Sequence, residues 1–320
     1  MTTYKGIRGL TIRTIAGDPS PVIAGDIWFN SVSRKIKGAK IAAGAWSSGT
    51  ALNTSRGQGG GVGPATNNLA FSGKPDGTAT WLTVTEAYDG SAWTEVADMS
   101  GGQANFACGG SAESAIVAGG EPGKLTNCEE WDASSWTAGG GLNTGRDTLR
   151  GFGASSTAAV AAGGQVPSVT TATELYDGSS WTEVGDLNVG KNKMMGLGTA
   201  TAGLILGGSN GPSTAVEEWN GTGWTEVGDL NTARETGGNS SYGTATAGMT
   251  SGGSPAPAGV NTEQYNGTSW TEVANNSSHN LGHTCGGGSQ TSAILAGGVT
   301  YINTVEEWDE SLGAVTFTSS

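Results

Sequence analysis

His279, His283 and Cys285 are spaced His-x3-His-x-Cys, the one motif in the sequence that suggests metal chemistry. Histidines four residues apart can share a metal ion when they lie on a helix. This segment continues into Gly286-Gly287-Gly288, which is typical of a strand next to a close backbone approach. Alternation along a strand would put His283 and Cys285 on one face, and two ligands are too few for a zinc site. The sequence therefore predicts neither a metal ion nor a cofactor.

Carboxylates are the other groups that could do chemistry. An acid stands two residues before an aromatic residue at six places, namely Glu86, Glu129, Glu174, Glu217, Glu263 and Glu306. Acid–base catalysis needs a particular pair of carboxylates whose pKa values are driven apart. A glutamate that returns at a constant spacing instead indicates a structural position in a repeat. We therefore predict that the chain has no catalytic residues and is not an enzyme.

The glutamates belong to a repeat of about 45 residues. A Gly-Gly pair follows a short apolar run at 119–120, 163–164, 207–208, 252–253 and 297–298, with Ser72-Gly73 as a degenerate first copy. A tryptophan then follows the aromatic residue at a constant distance of five residues. Together with Trp46, discussed below, these are the tryptophans predicted to pack between repeats: Trp46, Trp93, Trp136, Trp181, Trp224 and Trp270.

Each repeat is interpreted as four short strands. Asn220-Gly221 between two runs of strand-forming residues predicts a tight hairpin, because both central residues of a type I′ turn need positive φ. The segment that should form the first strand is nearly side-chain-free, as in Gly57–Gly63. Four strands per repeat and six repeats predict an all-β fold, a six-bladed kelch-like β-propeller with its glycine-rich strands innermost.

The tryptophan count predicts how the first and last repeats join. The last repeat ends after Trp308 without the expected fourth-strand tryptophan. Trp46, in contrast, precedes Leu52–Arg56, a segment of the kind that follows the fourth-strand tryptophan in other repeats. We therefore expect an N-terminal strand around Trp46 to complete the last blade, which would leave no sheet edge. The predicted organisation is an N-terminal arm with a hairpin at 1–45, a propeller at 46–312 and a C-terminal tail at 313–320.

The apolar run, Gly-Gly, spaced aromatic residues and following arginine (Arg56, Arg146, Arg234, with Lys191 in their place once) resemble the kelch repeat over roughly residues 46–312. Longer phrases are similar to kelch-type proteins of marine tailed phages, especially cyanophages: Glu-Leu-Tyr-Asp-Gly-Ser-Ser-Trp-Thr-Glu-Val at 174–184 and Gly-Thr-Ala-Thr-Ala-Gly-Leu-Ile-Leu-Gly-Gly at 198–208. The leader, with Gly25-Asp26-Ile27-Trp28-Phe29-Asn30, resembles short hairpins of phage tail and fibre proteins. The resemblance implies a virion protein made in the host cytoplasm.

Two enzyme classes share features with this pattern. Resemblance to copper radical oxidases, which also use kelch-type propellers, would require a Cys–Tyr cross-link with Tyr and His ligands, and the two histidines of one segment do not supply these. The Asp-Gly-Ser-Ser-Trp turn is similar to the sialidase Asp box, but it is one residue short and no arginine triad can be assigned. An oxidase or hydrolase is thus the least favoured interpretation.

Composition and charge narrow the function classes. Glycine supplies 57 of 320 residues, which excludes a helix-rich protein, and no every-third-residue glycine is present, which excludes collagen. Three cysteines indicate no disulfide framework, and there is neither an apolar signal segment nor a run long enough to insert into a membrane. The net charge of −13 argues against nucleic acid as a partner.

The basic residues are concentrated in the first 45 residues, which predicts that this arm contacts something acidic. The residues predicted to anchor the arm are Arg8, Arg13, Trp28, Arg34 and Lys35. The expected partners are other virion structural proteins and further copies of the chain as a homo-oligomer.

The loops after each Gly pair differ in length and composition, and all should emerge on one rim of the propeller. The candidate recognition residues in them are Glu121, Lys124, Gln165, Asn210, Pro255, Pro257 and Tyr301. Two functions follow: a structural virion protein in a tail, fibre or surface appendage that also recognises the host, or a soluble lectin-like propeller that binds host surface polysaccharide. A permissive surface with no ligand explains the loops equally well.

Overall fold

A computed structural model describes residues 12–20, 26–41, 43–208, 211–235, 241–255, 259–277, 284–298, 300–310 and 312–316. Within these ranges the chain is all-β and contains no helix. It divides into two compact units, one formed by Met1–Gly44 with Glu310–Ser320 and the other by Ala45–Asp309.

The first strands in chain order are β1 (Arg13–Ile15), β2 (Ile27–Asn30), β3 (Lys35–Ile41), β4 (Ala45–Ser48), β5 (Gly60–Val62), β6 (Asn68–Phe71), β7 (Thr85–Tyr88), β8 (Trp93–Glu95), β9 (Ala107–Gly110), β10 (Ala115–Ala118), β11 (Cys128–Trp131), β12 (Trp136–Ala138), β13 (Arg150–Ser155), β14 (Ala158–Ala162), β15 (Gln165–Val166) and β16 (Ser168–Val169). They are followed by β17 (Thr173–Tyr176), β18 (Trp181–Glu183), β19 (Met195–Thr199), β20 (Ala202–Leu206), β21 (Val216–Trp219), β22 (Trp224–Glu226), β23 (Ser241–Thr244), β24 (Ala247–Ser251), β25 (Thr262–Tyr265), β26 (Trp270–Val273), β27 (Cys285–Gly288), β28 (Ser292–Ala296), β29 (Val305–Asp309) and β30 (Leu312–Thr316).

The larger unit consists of six antiparallel four-stranded sheets, which we number one to six along the chain. Their strand orders are β5-β6-β7-β8, β9-β10-β11-β12, β13-β14-β17-β18, β19-β20-β21-β22, β23-β24-β25-β26 and β27-β28-β29-β4. Strands β15 and β16 form a small hairpin of their own in the loop after β14. In sheets one to five each strand therefore pairs with the next principal strand along the chain.

Local turn chemistry explains the hairpin between the third and fourth strands. In sheet four, Gly221 has φ +94°, a value that favours glycine. The side chain of Asn220 accepts hydrogen bonds from the backbone N–H groups of Thr222 and Gly223, both at 3.0 Å. This geometry places Trp219 directly opposite Trp224, so the hairpin that the Asn-Gly signal predicts is present. The predicted type I′ turn is wrong, because the connection is the four-residue loop 220–223 and only Gly221 of the Asn-Gly pair has positive φ.

Glycine in the first strands allows neighbouring sheets to contact backbone to backbone. A Cβ on Gly109 in β9 would lie 2.5 Å from the nitrogen of Gly153 in β13. A Cβ on Gly61 in β5 would lie 2.3 Å from the nitrogen of Gly286 in β27. First strands contact each other in the order β5, β9, β13, β19, β23, β27, and β27 also contacts β5.

The predicted tryptophans lie in the fourth strands, where their rings pack against the aromatic residue of the third strand. The ring centroids of Tyr88 and Trp93, for example, are 4.9 Å apart. Trp136 of sheet two also packs on Phe71 of sheet one, with centroids 5.0 Å apart, so apolar clusters span neighbouring sheets. Trp93, Trp136, Trp181, Trp224 and Trp270 are buried, whereas Trp46 is half-buried.

The outer strand of sheet six comes from the N-terminal side of the unit. Strand β4 pairs with β29, and Trp46 lies opposite Trp308 with ring centroids 5.5 Å apart. This pairing confirms the strand assignment made from the missing tryptophan of the last repeat.

The smaller unit contains one sheet in the order β1-β2-β3-β30, in which β1 and β2 are parallel. The hairpin predicted in the arm is formed by β2 and β3. The C-terminal residues were predicted only as a tail, but residues 312–316 form β30 and pair with β3. Pairing between the two ends of a chain leaves no local pattern, so sequence reasoning missed this strand.

Candidate functional site

The recurring glutamates are buried, and the structure gives them a common task. In sheet one, Glu86 Oε1 lies 2.6 Å from Arg56 Nη2, and both side chains are fully buried. The other carboxylate oxygen accepts a 2.7 Å hydrogen bond from the backbone N–H of Asn53. The carboxylate thus holds the connecting segment 52–56 against the third strand.

Three further sheets repeat this buried ion pair. The pairs join Arg146 to Glu174, Lys191 to Glu217 and Arg234 to Glu263. Burial lowers the pKa of the Arg234 guanidinium, and the neighbouring Glu263 carboxylate opposes that shift. Each of these carboxylates thus contacts a cation and accepts hydrogen bonds from the connecting segment, which is a structural role. Sequence reasoning singled out both the glutamates and the basic residues but did not pair them.

Sheet two departs from the pattern. Glu129 is buried and accepts a 2.9 Å hydrogen bond from the backbone N–H of Ser100, and no ion pair involves it among the residues described. The position of the arginine is taken by Gln103, whose Nε2 is buried without a hydrogen-bond partner. In sheet six the corresponding position, Asn280, lies outside the described residues.

A Gln103→Arg substitution should therefore stabilise the protein. It would supply the guanidinium that Arg56, Arg146 and Arg234 supply elsewhere and would neutralise an already buried carboxylate. We expect the free energy of unfolding to rise by about 1–3 kcal/mol, the scale of a charge-assisted hydrogen bond. Denaturant unfolding measures this, with Gln103→Met as the uncharged control; an equal gain from both substitutions would show that volume, not charge, is responsible.

Contacts between sheets alternate along the chain. In sheets one, three and five the third strand reads Thr-Glu-x-Tyr, and in sheets two, four and six it reads Glu-Glu-Trp after Cys or Val. The fourth-strand tryptophan of each even sheet donates through Nε1 to the threonine of the preceding odd sheet. These bonds are Trp136 to Thr85 at 3.0 Å, Trp224 to Thr173 at 3.1 Å and Trp46 to Thr262 at 3.0 Å.

The tyrosine of each odd sheet faces the second glutamate of the even sheet on its other side. Tyr88 donates to Glu307 at 2.7 Å, Tyr176 donates to Glu130, and Glu218 acts electrostatically on Tyr265. The chain is thus a threefold tandem of two-sheet units. The Tyr/Trp alternation is visible in the sequence and would have revealed these units.

These tyrosines make stability sensitive to high pH. Burial first, and then the hydrogen bond to Glu307, raises the pKa of Tyr88 to about 12, and burial raises the pKa of Tyr265. Because the pKa of these hydroxyls is higher in the folded state, their protonated form stabilises the fold fully below the unfolded pKa of about 10. This stabilisation is lost as the pH rises to the folded pKa.

We therefore expect the melting temperature to fall as the pH rises from about 10 to about 12. Melting curves followed together with tyrosinate absorbance test this. Tyr88→Phe should remove part of this fall, and an unchanged pH profile in that variant would contradict the assignment to Tyr88.

The first strands of all six sheets line one cavity of about 560 Å³. Half of its lining residues are glycines, its larger side chains include Val62, Phe152, Leu197 and Tyr242, and no lining residue carries a charge. The Tyr242 hydroxyl is buried without a hydrogen-bond partner, and burial raises its pKa well above the usual value. Such a wall offers dipoles and hydroxyl groups but no cationic or anionic anchor for a ligand.

Two of the predicted recognition residues, Glu121 and Lys124, form ion pairs with residues of neighbouring loops. Glu121 pairs with Lys74 at 3.0 Å, linking the loops of sheets one and two. Lys124 lies 3.6 Å from Asp147 and donates to the backbone oxygen of Gln165 at 3.1 Å, linking sheets two and three. These ion pairs are partly exposed, so the loops form a surface of cross-linked polar groups.

The remaining rim positions are scattered. Pro255 is exposed and follows a cis peptide bond, and Tyr301 is half-buried with φ +54°. Asn210 and Pro257 lie outside the described residues. Sequence reasoning overlooked the longest of the described loops, 74–83, in which Lys74 Nζ lies 5.4 Å from the ring centroid of the half-buried Trp81.

In the smaller unit, Arg13, Arg34 and Lys35 are exposed, whereas Arg8 lies outside the described residues. Trp28 is buried, and its indole N–H donates to Asp18 at 3.2 Å. Asp18 also accepts from Asn30 and pairs with Lys37 at 2.7 Å. Trp28 therefore holds the hairpin in place and is not a surface contact.

The described residues contain no group of three metal-ligating side chains, and His279 and His283 lie outside them. Cys108, Cys128 and Cys285 are buried and are not joined in disulfides. Burial raises the pKa of Cys128 and of Cys285 to about 12, so both are inert thiols at neutral pH.

No helix among the described residues has the length and apolar character needed to cross a membrane. No protein-family model matches the chain, and no curated protein matches it.

Proposed function

We propose that residues 45–309 form a six-bladed kelch-like β-propeller and that the chain is a structural protein of a tailed-phage virion, in a tail, fibre or surface appendage. In this proposal the propeller makes protein–protein contacts and presents a rim for host recognition, and the N-terminal arm attaches the protein to other virion proteins. The propeller does no covalent chemistry.

The contact between the last and first sheets supports the ring. Sheet six meets sheet one through Tyr88 and Glu307, the same kind of contact that joins sheets two and three through Tyr176 and Glu130. The close approach of Gly61 to Gly286 adds a backbone contact at this junction. One cavity lined by six first strands is the expected consequence of blades that converge on an axis.

The proposal that the propeller is not an enzyme is supported by the contacts that its recurring polar side chains already make. Glutamates that could act as acids or bases are buried in ion pairs within the sheets, as for Arg56 with Glu86. Several of the recurring tyrosines and tryptophans, such as Tyr88 and Trp136, donate hydrogen bonds between sheets. The surfaces that remain available for binding a partner are those of the loops and of the arm.

The virion assignment depends on the phrases at 174–184 and 198–208 and on the leader, which resemble phage proteins. Mass spectrometry of purified particles of the encoding phage tests it. The proposal predicts peptides from this chain in washed, gradient-purified particles at a stoichiometry comparable to known structural proteins. Peptides found only in the lysate of infected cells would refute it.

A soluble glycan-binding propeller is the second candidate, and the loop at 74–83 favours it. Trp81 with Lys74 beside its ring provides an aromatic face next to a charged group, an arrangement suited to stacking on a sugar. This candidate predicts binding of host surface polysaccharide that Trp81→Ala abolishes and Val189→Ala, at an exposed position in another loop, leaves intact. Equal binding by both variants would exclude this loop.

A further inference from the structure

The hairpin β2–β3 has an apolar face that is left exposed. Four large apolar side chains are exposed among the described residues, and three of them belong to this hairpin: Ile27 at 41%, Val32 at 75% and Ile36 at 42%. The hairpin is a small part of the chain, so this concentration is unlike single apolar residues scattered over a surface.

Strand register places two of these side chains, Ile27 and Ile36, on one side of the sheet. Phe29 lies opposite Ile36, and Ile27 precedes Phe29 by two residues, so all three share a face. Trp28 and Asn30 point to the other face, where both are buried and bonded to Asp18. The face of Trp28 and Asn30 is therefore fixed by hydrogen bonds to Asp18, whereas the opposite face exposes the apolar side chains of Ile27 and Ile36.

Uncompensated positive charge lies at the tip of this hairpin. Arg34 and Lys35 follow Val32 at the tip of the hairpin, are exposed, and make no ion pair among the described residues. Lys37, by contrast, is neutralised by Asp18. A partner for this hairpin must offer negative charge next to its tip.

The chain itself carries that complementary charge. Residues 1–44 and 310–320 hold seven basic and three acidic residues, a net charge of +4, and because the whole chain carries −13, residues 45–309 carry −17. Part of this negative charge lies on the outer strands of the sheets, where the exposed glutamates are Glu95, Glu183, Glu226 and Glu272.

We propose that the apolar face of the β2–β3 hairpin, with Arg34 and Lys35 at its tip, docks on the acidic outer strands of a second copy of this chain. The inference rests on the proposed function because it names the partner of the arm. Apolar contact supplies the affinity, and the opposite charges select the acidic surface and speed the encounter. Since the two surfaces differ, the contact is heterologous and builds rings or longer assemblies unless two arms are exchanged reciprocally.

Sedimentation velocity of the full chain over a range of concentrations and salt tests the proposal. We expect concentration-dependent association that weakens as salt rises. Val32→Asp and Ile36→Thr should each raise the dissociation constant at least tenfold, and the double change Arg34→Glu with Lys35→Glu should also abolish the salt dependence. Val189→Asp, at the fourth exposed apolar position and 59% exposed, should leave association unchanged.

Circular dichroism and melting temperature identify any variant that fails to fold, and Val32, in an exposed turn, is the position least able to disturb the sheet. Zero-length cross-linking of a mixture of isotope-labelled and unlabelled chain should join Lys35 of one copy to a glutamate of the outer strands of another. A chain that stays monomeric, or that associates equally well as Val32→Asp and Val189→Asp, overturns the proposal. That failure would leave the particle test untouched, and absence from particles would leave self-association intact.

Discussion

Removing residues 45–48 is expected to lower the free energy of unfolding of residues 45–310 by about 3–5 kcal/mol, the scale of losing a packed tryptophan. The deletion removes Trp46 from its contact with Trp308 and its hydrogen bond to Thr262. It also leaves β29 as an unpaired edge strand, which favours aggregation.

Two shortened chains make the comparison direct. The chain 45–310 retains β4, and the chain 49–310 lacks it; both lack residues 1–44, so loss of the arm is common to both. Denaturant unfolding and light scattering of the two chains give stability and aggregation. Equal stability would mean that β4 contributes nothing to sheet six.

Arg146→Met is the second change with a large expected effect, a loss of about 3–5 kcal/mol, because it strands the buried carboxylate of Glu174 without a cation. The double variant Arg146→Met with Glu174→Met should recover much of this loss, since apolar residues of similar volume replace the pair. Denaturant unfolding of the single and double variants measures the coupling between the two side chains.

Lys124→Met is the matched control for the arginine. It also breaks a pair with a carboxylate, that of Asp147, but both side chains are partly exposed, so we expect a change of about 1 kcal/mol or less. If Arg146→Met and Lys124→Met cost the same, the buried pairs would not be the feature that holds segment 142–146 to the third strand.

Regular repeats made part of this fold predictable. Turn residues such as Asn220-Gly221 specify a hairpin locally, and the constant distance between the aromatic residues specifies the register of the third and fourth strands. The missing tryptophan after Trp308 pointed to Trp46 because a repeat leaves a recognisable gap when one element is displaced along the chain.

Features that depend on contacts across the chain were not predictable in the same way. The pairing of β3 with β30 joins the two chain ends and has no periodic signal. The ion pair of Arg56 with Glu86 forms because a residue of the segment before sheet one packs against the third strand of that sheet. The hydrogen bond that buried Trp28 donates to Asp18 likewise joins residues ten positions apart. Of the predicted rim, Glu121 and Lys124 are engaged with neighbouring loops, which spacing alone could not indicate.

The central claim is that the N-terminal strand β4 completes sheet six and so joins it to the other sheets. Moving that strand to the other end of the chain tests this claim. In sheet four the third and fourth strands are joined by the four residues Asn220-Gly-Thr-Gly223. The same four residues are placed after Trp308 and are followed by Trp-Ser-Ser. This extension would supply the outer strand of sheet six from the C-terminal side. The measurement is the free energy of unfolding of chain 49–308 with this extension. We expect this free energy to lie within about 1 kcal/mol of that of chain 45–310, because exchanging one exposed loop for another changes stability little. A chain that stays as unstable as 49–310 would contradict the claim.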